Sequence, residues 1–271
     1  MNPKMSVRSA VLAFLFFSSF CFVFAGNPSL VLFDQSHGEL FSPMNSRPMD
    51  YSEFASLFEK EGFTMKIQSK PFSAADLAKA SAFIISGSFQ TFTPEEIKTL
   101  EAFVRNGGKL IMLLHVAPLV ADVCQAFHID VTNAIIHEQD KARVIENSDE
   151  NFYLTDFVPH SLFYGVKKIG VFGVWGLLAE DNSARILGQT SSSAFADLNK
   201  NKRLDAADPV QAFGIIALAS AGKGKVLVCG DDALFTNQFI GTADNRKFGL
   251  NVVRWISRGG NNSQNGSSKK S

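Results

Sequence analysis

Apolar positions along this chain fall into short blocks separated by Gly, Asn, Asp and Ser, and the period inside each block predicts its element. Ala82 to Ser86 is an apolar run too short for a helix, and it stops at Gly87. Thr93-Pro94-Glu95-Glu96 then reads as a helix start. Thr93 can cap, Pro94 sits where a missing N–H costs nothing, and Glu96 can reach back to the cap. Ile97, Leu100, Phe103 and Val104 recur at helical spacing, and Asn106-Gly107-Gly108 ends the helix through a left-handed residue. Lys109 to Leu114 returns as a buried strand. Strand, crossover helix and strand make a βαβ unit, which requires a parallel sheet.

The rest of the chain is organised around that unit. Ser29 to Phe33 is a short apolar strand followed by the polar loop Asp34-Gln35-Ser36-His37-Gly38-Glu39. Asp50 is placed to cap a helix that turns Tyr51, Phe54, Leu57 and Phe58 inward and stops at Gly62. Thr64 to Gln68 alternates as a second strand, Ser73 to Ala80 is a short helix, and Ala117 to Phe127 is helical. From His128 to Ala184 the pattern changes to short β-branched and aromatic runs: Val131–Ile136, Ala142–Ile145, Ile169–Phe172 and Trp175–Ala179. Arg185 to Thr190 is another strand. Ala212–Ala219 and Lys225–Cys229 read as a hairpin, and Asp244–Ser257 closes the fold as an amphipathic helix. The expected fold is α/β with a mainly parallel, flavodoxin-like sheet and β-rich insertions in the second half.

Composition adds an address. Lys4 and Arg8 precede the apolar stretch Val11–Phe24, and Ala25 offers a small residue for cleavage, so residues 1–25 read as a signal peptide. The apolar run is shorter than the roughly 20 residues a spanning helix needs, so an uncleaved anchor is the rival reading. The expected location is periplasmic or secreted, with no membrane insertion after cleavage. Residues 26–258 form the domain, and 259–271, rich in Gly, Asn, Ser and Lys, form a disordered tail. Lys+Arg and Asp+Glu both number 26, so no net charge draws the protein to nucleic acid. Cys124 and Cys229 would survive cleavage; neither has metal-type spacing, and both read as buried structural thiols.

Four stretches together carry a resemblance that spans Leu30 to about Ser257. They are FDQSHGE after the first strand, FIISGSFQTFTPEEIKTLEAFVRNGGKLIML, PHSLFYGV at Pro159–Val166, and GKVLVCGDDALFTN followed by DNRKFGLNVVRWI. In this order they resemble the glutamine-amidotransferase-like domains of bacterial envelope proteins, relatives of the class I amidotransferases of the DUF4350/GIFT type. The resemblance implies an envelope protein with no assigned chemistry. True amidotransferases place a Cys on a sharp turn after the strand that here is Lys109–Leu114. This chain has Leu114-His115-Val116-Ala117-Pro118 there, with no Cys and no Gly. Glutamine hydrolysis is therefore not expected.

Ligands of open α/β sheets gather beyond the carboxyl ends of the strands. Asp34, Ser36, His37 and Glu39, Ser86 and Ser88, His115, and Asp231 and Asp232 all follow strands and should converge on one rim. The leading expectation is a non-catalytic binding or scaffold domain whose partner is an envelope protein or glycan. The alternatives are an envelope hydrolase using Asp34, His37 and Asp231 or Asp232, a transporter's solute-binding component, or simple bracing of loops by Asp and Ser. A separate expectation is calcium. Asp197, Asn199 and Asn201 occupy positions one, three and five of an EF-hand-like loop that also resembles those of dockerin modules. Arg203 would offer its carbonyl at seven, Asp205 would contribute at nine, and Asp208 stands at twelve. Lys202 stands where Gly normally makes the sharp turn, and Asp208 is shorter than the usual Glu.

Overall fold

The computed structural model describes residues 30–257. The expected leader, its cleavage point and the tail lie outside the described residues.

The first half alternates strand and helix: β1 (Leu30–Asp34), α1 (Ser52–Lys60), β2 (Thr64–Gln68), α2 (Ala74–Leu77), β3 (Ala82–Ser86), α3 (Pro94–Arg105), β4 (Lys109–Leu113) and α4 (Ala117–Gln125). The central βαβ unit forms as its sequence demands. Thr93 Oγ1 accepts from the Glu96 N–H, the Glu96 carboxylate accepts from the Thr93 N–H, and Pro94 is the first helical residue. β3 and β4 then pair in parallel, from Ala82 opposite Lys109 to Ser86 opposite Leu113.

The second half is β-rich: β5 (Ile129–His137), β6 (Val144–Ile145), β7 (Ser148–Leu154), β8 (Asp156–Phe157), β9 (Ile169–Phe172), β10 (Trp175–Ala179), β11 (Ala184–Gln189), β12 (Phe195–Asp197), β13 (Gly214–Ala221) and β14 (Gly224–Cys229). The last helix, α5, runs Asn245–Ser257. β13 and β14 are joined through Gly222-Lys223, where Gly222 takes φ 55° and so supplies the left-handed residue a tight hairpin needs.

The large sheet runs β12-β5-β10-β13-β14-β4-β3-β1-β2, with β11 and β8 attached through β13. This corrects the expectation of a mainly parallel sheet. β2, β1, β3, β4 and β14 are parallel neighbours, and every pairing beyond β14 is antiparallel. The reason is in the connections. The first half has crossover helices, whereas between β5 and β14 no α-helix carries the chain across to a parallel neighbour, and β13 and β14 turn back on each other as a hairpin. The β-rich segment therefore extends the main sheet, apart from a small separate sheet of β6, β7 and β9.

Helices cover both faces of the parallel part, which explains why its strands are apolar without alternation. Val31, Phe33, Ile84, Ile111 and Leu227 pack towards α1 and α5; Leu32, Phe83, Ile85, Met112 and Val228 pack towards α3 and α4. Each fully buried Phe or Leu of these layers stabilises the fold by about 1.5–3 kcal/mol.

Asp50 does not cap α1. Tyr51 is the N-cap and makes no side-chain capping bond. Asp50 is instead fully buried, accepting from the Ser42 N–H and pairing with Arg47. The cap comes from far along the chain: Asn237 Oδ1 accepts the Glu53 N–H at 2.8 Å. No helix among the described residues is long and apolar enough to cross a membrane.

Candidate functional site

The carboxyl ends of β1, β3, β4 and β14 do bring the expected polar residues to one rim. They form two knots there. The first is built by the loop after β1. Asp34 Oδ1 accepts from the Ser36 N–H and hydroxyl, and Asp34 Oδ2 lies 2.7 Å from His37 Nδ1. Glu39 Oε2 accepts the His37 N–H, and Glu39 Oε1 accepts the Ser88 hydroxyl. The His37 ring stacks on Phe92 at 3.8 Å between centroids, and its Nε2 lies 3.4 Å from Glu96 Oε1.

Burial opposes charge on His37, but the hydrogen bond it donates to Asp34 and the nearby charges of Asp34, Glu96 and Glu39 outweigh it and raise the pKa. Burial also raises Glu39, assisted by Asp34. One ligand atom from each of Asp34, His37 and Glu39 falls within 4.8 Å of the others, a spacing that a metal ion could bridge. Yet both ring nitrogens of His37 already face carboxylates. The imidazole clamped between Asp34 and Glu96 satisfies the knot without an ion.

The second knot joins β3, β4 and β14. His115 Nδ1 lies 3.1 Å from Asp232 Oδ1, and the His115 side chain is 36% exposed while that of Asp232 is almost fully buried. Tyr51 Oη donates towards Asp232 and accepts from the Ser86 hydroxyl. The Trp175 indole N–H donates to the His115 carbonyl and fixes its backbone. The hydrogen bond that His115 donates to Asp232 raises its pKa against the effect of burial. Asp231 faces the other way, accepting from the Phe172 and Ala233 N–H groups. Burial and the adjacent Asp232 charge push its carboxyl well above the usual range.

Phe89 connects the knots: its N–H donates to the His37 carbonyl and its ring lies 5.2 Å from that of His115. Leu40, Met44 and Phe89 leave large apolar surface exposed along the neighbouring loops.

The turn after β4 carries no positive φ between Leu114 and Pro118, so the strained elbow of a nucleophile is absent there. Cys124 and Cys229 are free and buried, as their spacing implied. Burial pushes the Cys124 thiol up to about 12, and Cys229 higher still.

Sequence reasoning missed Tyr51, the second role of Glu96, and Trp175. Tyr51 did leave a signal. The chain has 26 Phe and only 3 Tyr, so a Tyr at a core position marks a hydroxyl that is used.

The calcium-type loop lies far from this rim, following β12. Asp197 Oδ1 accepts the Asn201 N–H and Oδ2 accepts the Lys202 N–H. Asn199 Oδ1 accepts from Asn201 N–H, and Asn201 Oδ1 from Arg203 N–H. Asp208 returns to the start of the loop, taking the Leu198 and Asp205 N–H groups. Asp205 accepts the amide N–H groups of Asn199 and Asn201. Lys202 adopts φ 60°, so the sharp turn at position six is made without Gly. A non-Gly residue in that region costs of order 1–2 kcal/mol. The oxygens at positions one, three, five, nine and twelve are hard donors, and in the fold each of these residues accepts at least one N–H of the loop itself.

A mixed α/β domain with a closed, self-bonded rim is the class these features define. The chain belongs to the family described as Domain of unknown function (DUF4350), which its residues 43–253 match. Among solved structures it is similar to the "mmIFT52 N-terminal domain", at 16% identity and TM-score 0.67, covering 84% of this chain and 98% of that one. It is also similar to the "Cytoplasmic Protein STM1381 from Salmonella typhimurium LT2", at 14% identity and TM-score 0.54, covering 84% of this chain and 100% of that one. At such identities the likeness is one of fold. No curated protein matches the sequence.

Proposed function

We propose that the protein is a non-catalytic binding or scaffold domain of the cell envelope, built on a flavodoxin-like, class I glutamine-amidotransferase-like frame. The parallel strand order β2-β1-β3-β4-β14 supports the frame, being that of doubly wound flavodoxin-like sheets. One observation carries the non-catalytic reading: His115 stands on a relaxed backbone where an amidotransferase keeps its nucleophile, and its Nδ1 is bound to Asp232. The partner is an envelope protein or glycan that meets the apolar border of Leu40, Met44 and Phe89 beside His115. Export rests on the basic-then-apolar leader, and N-terminal sequencing of the protein from its host checks it.

The direct test of the reading is a photocrosslinking residue placed at Phe89 in the host. Adducts with an envelope component are expected, and ammonia release from glutamine by the purified protein, abolished in Cys124→Ala, would sink it. The alternative, an envelope hydrolase, draws on one observation. His115 with Asp232 behind it is an oriented, half-exposed imidazole of the kind a general base needs. Hydrolysis of a glycan or ester that is lost in His115→Ala, with folding intact, would favour it.

Calcium is the implied cofactor. Asp197, Asn199, Asn201, the Arg203 carbonyl, Asp205 and Asp208 would hold it, pinning the segment between β12 and β13. Calorimetric titration is expected to give heat with the wild type and none with Asp197→Ala. The absence of both heat and a thermal shift at millimolar calcium rules it out.

A further inference from the structure

His137, the last residue of β5, is 1% exposed, and its Nε2 makes no hydrogen bond. The ring stacks on Phe195 of β12, 4.8 Å between centroids, which fixes its plane. Its Nδ1 lies 2.9 Å from Asp149 Oδ1 on β7. A carboxylate only accepts, so Nδ1 carries the proton and the neutral ring keeps its lone pair at Nε2.

Two further carboxylates face that lone pair. Asp197 Oδ2, at the end of β12, lies 3.8 Å from Nε2, and Asp197 is itself buried. Glu150 Oε1, on β7, lies 3.9 Å from the same nitrogen. Among the described residues, the only lysine or arginine paired with Asp149, Glu150 or Asp197 is Lys202. Its ammonium sits 2.9 Å from the same Glu150 Oε1 and holds that carboxylate away from Asp197. The Lys202 side chain is 72% exposed, so it can leave for solvent without disturbing the core.

A lone pair aimed at two carboxylates is repelled by them, and burying it unbonded adds a desolvation cost. A cation where the three atoms meet removes both. Two ligands of a tetrahedral zinc ion stand about 3.4 Å apart, so each carboxylate oxygen has to approach Nε2 by only about half an ångström. Imidazole among the ligands selects an ion of the zinc class over calcium or magnesium. Asp149 behind Nδ1 supplies the carboxylate that orients a metal-binding histidine.

We propose that His137 Nε2, Asp197 and Glu150 hold a divalent ion of the zinc class, with water in the fourth position and Asp149 as a positioning residue. The ion enters as Lys202 swings out and releases Glu150 to turn towards Asp197. Once bound, it ties β5, β7 and β12 together. Asp197 is also position one of the calcium-type loop, but His137, Asp149 and Glu150 lie outside that loop, and the zinc site does not rest on the calcium reading.

Titration calorimetry of the full chain with zinc chloride, in calcium-free buffer, tests it. Saturable binding at this site is expected, with magnesium weaker by about tenfold or more. His137→Gln should weaken zinc by about a hundredfold, and Asp149→Asn by about tenfold. Zinc should also raise the melting temperature of the wild type and not that of His137→Gln. Calcium heat is expected to survive His137→Gln, so the failure of either metal leaves the other reading standing. Absence of saturable zinc binding overturns the proposal. So does zinc binding retained in His137→Gln, which would belong to another site such as the Asp34–His37–Glu39 knot. Equal binding of magnesium overturns it too, because carboxylates alone would then hold the ion. If His137→Gln does not fold, Glu150→Gln is read instead, and zinc binding unchanged there overturns it.

Discussion

The two ends of the parallel sheet are built on opposite plans. At the carboxyl end, buried charge is abundant and paired: Asp34 with His37, His37 with Glu96, Asp232 with His115 and Tyr51. At the amino end, buried charge is scarce and unpaired, and a cavity stands beside it. The usual expectation for an open α/β sheet puts the ligand at the carboxyl end. Here that end has spent its polar groups on one another. Polar residues after strands mark a site only if they remain unsatisfied once the chain has folded.

The comparison breaks first at Asp232. Asp232→Ala removes the partner of His115 and leaves the buried Tyr51 hydroxyl with one fewer acceptor. A loss of roughly 2–4 kcal/mol is expected in urea denaturation, the range for breaking a buried polar network. A loss of only a few tenths would mean that the carboxyl rim is not a brace. Asn237→Ala comes next. It uncaps α1 across the domain and should cost about 1–2 kcal/mol, above an ordinary surface substitution.

Asp231 sharpens the contrast through pH. Its folded pKa is raised, so the native state holds a proton that the unfolded chain, with an ordinary carboxyl, releases near pH 4. Between those two values stability falls as pH rises. Asp231→Asn should flatten that part of the stability–pH curve, and an unchanged slope would show that Asp231 is ionised in the fold. His115→Ala is the smallest effect. A half-exposed ring should contribute less than about 0.5 kcal/mol to stability. Any larger change in partner capture than in melting temperature would assign it to binding.

Much of the parallel half was legible because its elements are locally specified. The Thr93-to-Glu96 box, the Gly107-Gly108 stop and the apolar run of β4 each name their own structure, and neighbouring elements pack against one another. The convergence of Asp34, His37, His115 and Asp232 was also readable, since residues after parallel strands must share an edge. What escaped was long-range. The cap on α1 comes from Asn237, Glu96 serves His37 as well as Thr93, and β13 joins the main sheet through a hairpin whose partner across the parallel edge is β4. Local period carries no information about any of these. The burial of Lys109 escaped for another reason. Local period does not show what covers the start of a strand: Lys109 is buried with its ammonium over the Trp255 ring of α5.

The parallel edge between β4 and β14 also sets a timetable. Lys225 lies beside Lys109, and all the antiparallel strands but β14 are made between them. A ribosome adding about 5–20 residues per second takes on the order of ten seconds to cross that gap. For all of that time β4 is finished but lacks its neighbour, and its bare edge can pair with another nascent chain. The same gap makes the contact expensive in loop entropy, so joining of β14 should be a late and slow event in refolding. A chain cut short before Gly224 would be worse than one missing a hairpin strand: it would have a permanently open central edge.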